Sequence, residues 1–272
     1  MSQDRNPQAE QMGDESMARN LAHQAEAIWP QECRLFDRYG LSGELRILDI
    51  GCGTGEITRR LADRYWQATV LGIDILESNL ELARRDSGQW GERLSYEQGD
   101  AFVLKYPDAS FDLLVCRHMS QAVPNFPLVL AEFTRVLKPG GWLHLLSEDY
   151  GMLRMPVGAR DPDRFWNEVV IGFLASIGCD GRVGRHSPPL LERLGYRDIA
   201  MDYVIVDTLR VPRATFANIL KAWRDGYAES LVETSGRTLP SINEDFAAII
   251  NAIETPPHYA VWHVPVISGR KP

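Results

Sequence analysis

The densest chemical signal in this 272-residue chain is three alternate glycines, Gly51, Gly53 and Gly55, following the apolar segment Ile47-Leu48-Asp49-Ile50. Glycine lets the backbone turn sharply and lets a ligand approach with no Cβ in the way. A tight strand-to-helix turn needs one glycine or two, so three at alternate positions point to a bound ligand. A dinucleotide fingerprint has Gly or Ala three residues after the second glycine, where this chain has Glu56. A carboxylate there opposes a pyrophosphate at the helix N-terminus. No Gly-Lys-Ser/Thr follows, as a P-loop would require. The expected ligand carries no phosphate.

Two further carboxylates close later apolar segments. Asp74 ends Val70-Leu71-Gly72-Ile73, 19 residues after Gly55. An acid at that point is placed to accept hydrogen bonds from both ribose hydroxyls. The alternative use of the same side chain is to cap the helix that begins near Ile75. Asp100, in Gly99-Asp100-Ala101, suits an adenine amine with the Ala101 N–H beside it, although Gly-Asp is also a common turn pair. With Asp49, these acids suit hydroxyl, amino and amine donors and repel phosphate.

Together with Phe111-Asp112-Leu113-Leu114-Val115 and Val136-Leu137-Lys138-Pro139-Gly140-Gly141, these residues resemble the class I S-adenosylmethionine-dependent methyltransferases. The nearest likeness is the small-molecule group that includes the ubiquinone and menaquinone methyltransferases. It is close over about residues 46–148 and holds in outline beyond. It implies a Rossmann-like α/β fold: a seven-stranded sheet, mostly parallel with the last strand antiparallel, helices on both faces, and helical cap insertions. It implies S-adenosylmethionine as cofactor, with Gly51 and Gly53 at the methionine half, Asp74 at the ribose, and Asp100 with Ala101 framing the adenine. Asp49 and Ile75 join this cofactor-binding set. Arg117 lies beside the cofactor, through its backbone rather than its side chain. The implied reaction moves a methyl group to an O, N, C or S nucleophile of a small-molecule metabolite by in-line displacement. Alignment and exclusion of water dominate such a reaction, and no metal is expected. Two other uses of the fold stay open: a cofactor-binding cyclase or isomerase, and a non-catalytic regulatory protein. Retention of Asp49, Asp74 and Asp100 disfavours the second.

Ligands of such a sheet sit beyond the carboxyl ends of its strands. His118, just past the strand at 111–116, is the candidate general base, with Tyr150 and Glu148 as alternatives. A loop histidine held by hydrogen bonds is the plainer reading. His263 is expected to pack. Phe165, Trp166, Phe173, Phe216, Trp223 and Tyr227 fall in inserted helices, where they either pack together or face an apolar or aromatic substrate. Cys116-Arg117-His118-Met119 lacks the Asn/Asp-Pro-Pro-aromatic sequence of amino-methylating DNA enzymes. With 29 Lys+Arg against 37 Asp+Glu, a net charge of −8, this argues against a nucleic-acid substrate.

The elements that hold these residues follow from periodicity. Short apolar runs at 47–50, 69–73, 94–97, 111–116, 141–147 and 201–206 read as strands, alternating with amphipathic helices. A last strand is expected near 259–267, with Pro265 demanding a bend or bulge inside it. Residues 1–16 read as a mobile polar tail, and 17–45 as a helical cap broken at Pro30. Residues 46–272 read as one domain with helical insertions at about 151–187 and 212–256. No apolar run approaches the ~18 residues of a membrane span, and no apolar core of a secretory signal is present. Four cysteines, at 33, 52, 116 and 179, form no CxxC or zinc spacing, as expected of a reduced, cytoplasmic protein. The oligomeric state leaves no mark in the sequence.

Overall fold

The computed structural model describes residues 5–272 and opens with a helical turn, α1 (Ala9–Met12), and a long helix, α2 (Glu15–Glu32). Asp14 caps α2 by accepting from the Ser16 N–H. Of the tail expected to be mobile, residues 1–4 lie outside the described residues, and the rest holds α1 and the start of α2. Gln8 is buried, its amide oxygen accepting from the Tyr227 hydroxyl at 3.0 Å, so polar residues order here by pairing with a distant helix. Pro30 does not break α2. It lies in the last turn, and the carbonyl it leaves unpaired, that of Glu26, belongs to an exposed residue that water can serve.

Beyond a short 3₁₀ segment at Leu35–Tyr39 the alternation begins. Strands β1 (Arg46–Ile50), β2 (Thr69–Asp74), β3 (Leu94–Gln98), β4 (Phe111–Arg117) and β5 (Leu137–Leu146) pair in parallel in the order β3-β2-β1-β4-β5. Helices α3 (Glu56–Arg64), α4 (Glu77–Arg85) and α5 (Phe126–Val136) follow β1, β2 and β4. β1 and β4 are central and covered on both faces, which is why they read as mainly apolar runs; β3, at the edge, alternates. α5 shows the complementary pattern, with Phe126, Val129, Leu130, Phe133 and Val136 buried on one stripe.

After β5 come a two-residue strand, β6 (Leu153–Arg154), and an inserted helical run. That run comprises α6 (Pro162–Arg164), a π-helical segment (Phe165–Val170) and α7 (Ile171–Ser176). Then follow α8 (Val183–Arg193), β7 (Arg197–Asp207), α9 (Arg213–Ser235), α10 (Leu239–Glu254) and β8 (Val261–Arg270). β8 is antiparallel to both β5 and β7. The sheet therefore has the expected plan plus one short strand, because β6 takes up β8's edge where β5 leaves it.

That handover explains Pro265. The β7–β8 register runs unbroken through it, with Tyr203 opposite Pro265, so the expected bulge is absent. Its carbonyl accepts from Ser147 N–H, on the β5 side. In an antiparallel strand a residue's N–H faces the same way as its C=O. The missing N–H thus faces Ser147, one residue beyond the end of β5, and leaves the β7–β8 ladder intact.

Two apolar clusters cover the two faces of the sheet, and a third joins α2, the inserted helical run, α9 and α10 to Trp262. This third cluster forms a cap over the carboxyl edge of the strands. No described helix is long and apolar enough to cross a membrane.

Candidate active site

Two cavities meet at the carboxyl ends of β1 and β4. The first, about 780 Å³, is lined by Gly51, Gly53, Asp74, Ile75, Asp100, Ala101 and Arg117, so seven residues picked from sequence come together around one space. Gly53 has φ 53° and lies so close to Leu21 of α2 that a Cβ would overlap it. Gly55, also left-handed at φ 77°, packs against the Tyr96 ring instead. The fold itself therefore demands Gly55, whereas Gly51 and Gly53 form cavity wall.

Asp74 braces the turn and lines the same cavity. Its Oδ2 accepts from the Gly53 N–H and its Oδ1 from the Leu76 N–H, both at 2.9 Å, tying the turn to the start of α4. Each oxygen keeps a further acceptor site, and the residue lines the cavity. Burial pushes its carboxyl above the ordinary range, against those hydrogen bonds. Asp100 accepts from the Phe102 N–H at 2.8 Å and pairs with Arg5 at 3.0 Å. Asp49 lies apart, behind the turn. It is buried in an adjoining crevice shared with Gly51 and Arg117, where it accepts from the Thr58 hydroxyl at 2.7 Å. Burial pushes its carboxyl up to about 6, the Thr58 bond offsetting only part of the effect.

The Arg117 side chain has protein partners of its own. Its Nε donates to Glu32 at 2.8 Å, and Glu32 also meets His144 Nε2 at 3.0 Å, while His144 Nδ1 meets the Tyr39 hydroxyl at 2.7 Å. Glu32 and His144 are fully buried. Burial pushes the Glu32 carboxyl up, but the Arg117 charge and the His144 bond outweigh it and hold the group below its ordinary value. Arg117 Nη2 is buried and has no partner.

These residues fit S-adenosylmethionine. An unpaired guanidinium nitrogen beside the glycine turn suits an amino-acid carboxylate. Acids at Asp74 and Asp100 suit hydroxyls and an amine. Glu56 in the first turn of α3 leaves the usual phosphate position acidic.

The second cavity, about 640 Å³, lies under the cap and is walled by Tyr150, Trp166, Phe173, Trp223, Tyr227 and Phe246, with Gln8, Asn20, Gln24, His118, Gln121 and Glu148 as its polar members. His118 and Leu21 border both cavities. His118 takes a left-handed φ of 52°, uncommon for a side chain of its size, with its N–H held by the Leu146 carbonyl. Its Nδ1 meets Glu148 Oε1 at 2.5 Å, and its Nε2 has no partner. Tyr150 stacks on Trp166 with ring centroids 5.7 Å apart. Burial, then the Glu148 charge, raises the Tyr150 hydroxyl well above its ordinary value, so it is a neutral phenol and not a proton acceptor. His263 pairs with Ile205 within the sheet, as packing.

Residues 48–145 match the family described as Methyltransferase domain. The match takes in the glycine turn, Asp74 and Asp100 and covers just over a third of the chain. The chain's relatives include a demethylmenaquinone methyltransferase of Deinococcus radiodurans, 41% identical over 102 residues (38% of this chain, 42% of that protein). Another is a 27-O-demethylrifamycin SV methyltransferase of Amycolatopsis mediterranei, 34% identical over 183 residues (61% of this chain, 64% of that protein). The chain thus spans about half the length of the curated relatives it matches. Among solved structures, Haemonchus contortus phosphoethanolamine N-methyltransferase 2, in complex with phosphomonomethylethanolamine and S-adenosylhomocysteine, aligns with a TM-score of 0.57. The alignment covers 90% of this chain and 53% of that one at 19% identity, a likeness of fold.

Around the methyltransferase fold, sequence reasoning missed Asn20, Glu32, Gln121 and His144. One signal was available: Asn20 and Gln24 share the stripe of α2 that carries Met17, Leu21 and Ile28, and polar side chains on a buried stripe mark a lined cavity.

Proposed function

We propose that this protein transfers a methyl group from S-adenosylmethionine to a protic nucleophile on a small molecule held in the aromatic cavity, with His118 as general base. The observation that carries this reading is the position of His118 in the shared wall of the two cavities, with Nε2 unpartnered and Nδ1 engaged by Glu148. A carboxylate only accepts, so Nδ1 bears the proton and Nε2 presents its lone pair. Glu148 then orients the ring and stabilises the imidazolium formed on proton uptake. The bound cofactor supplies a methyl carbon on a cationic sulfur.

The chain's own residues do the rest. Asp74 accepts the ribose hydroxyls, Asp100 and Ala101 frame the adenine, Gly51 and Gly53 admit the methionine half, and Arg117 Nη2 meets its carboxylate. Asp100 Oδ2 keeps a further acceptor site for the adenine beside its pairing with Arg5. Asp49 holds the turn through Thr58, and Ile75 gives the ribose site an apolar edge. The cap excludes water, which favours a reaction whose charge disperses.

The test is calorimetry with S-adenosylhomocysteine, together with a labelled-methyl assay against metabolite extracts. Binding with label transfer, lowered about 10²-fold in His118→Ala with the cofactor affinity intact, is the expected result. Binding without transfer would favour the cyclase alternative, and unchanged turnover in His118→Ala would remove the base.

A further inference from the structure

The aromatic cavity holds more unpaired hydrogen-bonding groups than proton transfer uses. Asn20 is fully buried, and neither end of its amide has a partner. The Trp166 indole N–H, the Gln121 amide oxygen and the second Glu148 carboxylate oxygen are likewise buried and unpartnered, and all four residues line the cavity. The Gln121 orientation is fixed, since its Nε2 donates to the His118 carbonyl at 2.7 Å. Buried polar groups without partners are few in natural proteins, so four around one space mark a surface shaped for a ligand.

The free groups also specify the ligand. Asn20 Oδ1, Gln121 Oε1 and Glu148 Oε2 accept; Asn20 Nδ2 and Trp166 Nε1 donate. No Lys or Arg stands among the described lining residues. An anion would meet the Glu148 carboxylate with no cation to offset it. An ammonium suits the aromatic faces and Glu148, but it has no lone pair for the Asn20 and Trp166 donors. A hydroxyl both donates and accepts. The stacked Tyr150–Trp166 pair, with Trp223 edge-on to Trp166 at 5.6 Å, suits a flat body.

We propose that the cavity selects an uncharged ring compound bearing at least two hydroxyl groups, and that Asn20 is a specificity-determining residue that reads one of them. The inference rests on the methyltransferase reading for the ring's placement beside the cofactor.

The experiment uses the full chain saturated with S-adenosylhomocysteine and calorimetric titration of 2,7-dihydroxynaphthalene, 2-naphthoate and 2-naphthylmethylammonium. The diol should bind at least tenfold more tightly than either ion. Asn20→Leu should weaken the diol at least tenfold, leave S-adenosylhomocysteine affinity unchanged and raise the melting temperature of the ligand-free protein, because it removes the unpaired amide. Asn20→Ala gives the same affinity test should Leu not be accommodated. An ion that binds as tightly as the diol, a diol that does not bind, or a diol affinity indifferent to Asn20 overturns the proposal. So does a lowered melting temperature in Asn20→Leu, the mark of a structural amide. If S-adenosylhomocysteine binds in each case, the methyltransferase reading survives that failure; if the parent protein does not bind it, both fall.

Discussion

Glu32 is the residue whose loss tests most directly how the cap is joined to the cofactor side. It lies at the end of α2, fully buried, accepting from Arg117 at 2.8 Å and meeting His144 at 3.0 Å. Glu32→Ala leaves the Arg117 guanidinium buried with no counter-charge. Removing one partner of a buried pair destabilises by about 3–5 kcal/mol, chiefly through the charge left behind. For a chain of this size that is a melting temperature lower by roughly 6–20 °C, at about 2–4 °C per kcal/mol. Glu32→Gln keeps an acceptor for Arg117 while losing the charge, and should lose about 1–3 kcal/mol.

The pH dependence has a definite sign. Glu32 titrates below its ordinary value in the folded protein. Its contribution is therefore fully present above the ordinary carboxylate range and is lost as pH falls through the folded value. Urea denaturation of parent and Glu32→Ala at pH 7.5, and again toward pH 3, should show the gap closing in acid. Because Arg117 also borders the cofactor cavity, S-adenosylhomocysteine affinity should fall in the same variant. A Glu32→Ala protein within about 1 kcal/mol of the parent at pH 7.5 would show that the pair contributes no more than a surface bridge.

Three further outcomes follow from the site. Asp74→Ala should weaken S-adenosylhomocysteine by about 1–3 kcal/mol through lost charge-assisted hydrogen bonds, and undiminished affinity by calorimetry would remove the ribose role. Asp49, raised by burial from 3.8 to about 6, opposes folding once ionised, so stability should drop as pH rises from about 4 to 6. Asp49→Asn should abolish that drop and gain about 3 kcal/mol at pH 7.5 in urea denaturation, and an unaltered pH profile would refute this account. Glu148→Gln should lower kcat about 10–100-fold, and an unchanged kcat would show that Glu148 does not act through His118.

What was legible in the sequence is what the chain states locally. The glycine turn, Asp74 and Asp100 each lie within a few residues of a strand end, and parallel pairing brings strand ends to one edge. β1 and β4 are buried along nearly their whole length because both faces are covered. What could not be read is what distant segments settle between them. Arg117 and Glu32 lie 85 positions apart, and nothing near either announces the other. Gln8 becomes ordered through Tyr227, 219 positions away, which turns a tail-like composition into structure. Pro265 carried a true local rule to the wrong outcome, because whether its missing N–H matters depends on where β5 ends.

The N-terminal helix links these observations. α2 sets Leu21 against the glycine turn, Asn20 and Gln24 into the aromatic cavity, and Glu32 onto Arg117. A rigid helix rises 1.5 Å per residue, so the span from Asn20 to Glu32 is a fixed ruler of about 18 Å laid across both cavities. In-line displacement tolerates little error in the distance between nucleophile and methyl carbon. A rigid element touching both ligand spaces meets that demand better than loops that fluctuate independently. The buried Glu32–Arg117 contact serves the same end: an apolar pair would hold the helix as well, but a directional ion pair also fixes its register along the sheet edge. On this view substitution at Glu32, where α2 meets Arg117, changes the stability of the cap and the geometry of transfer together.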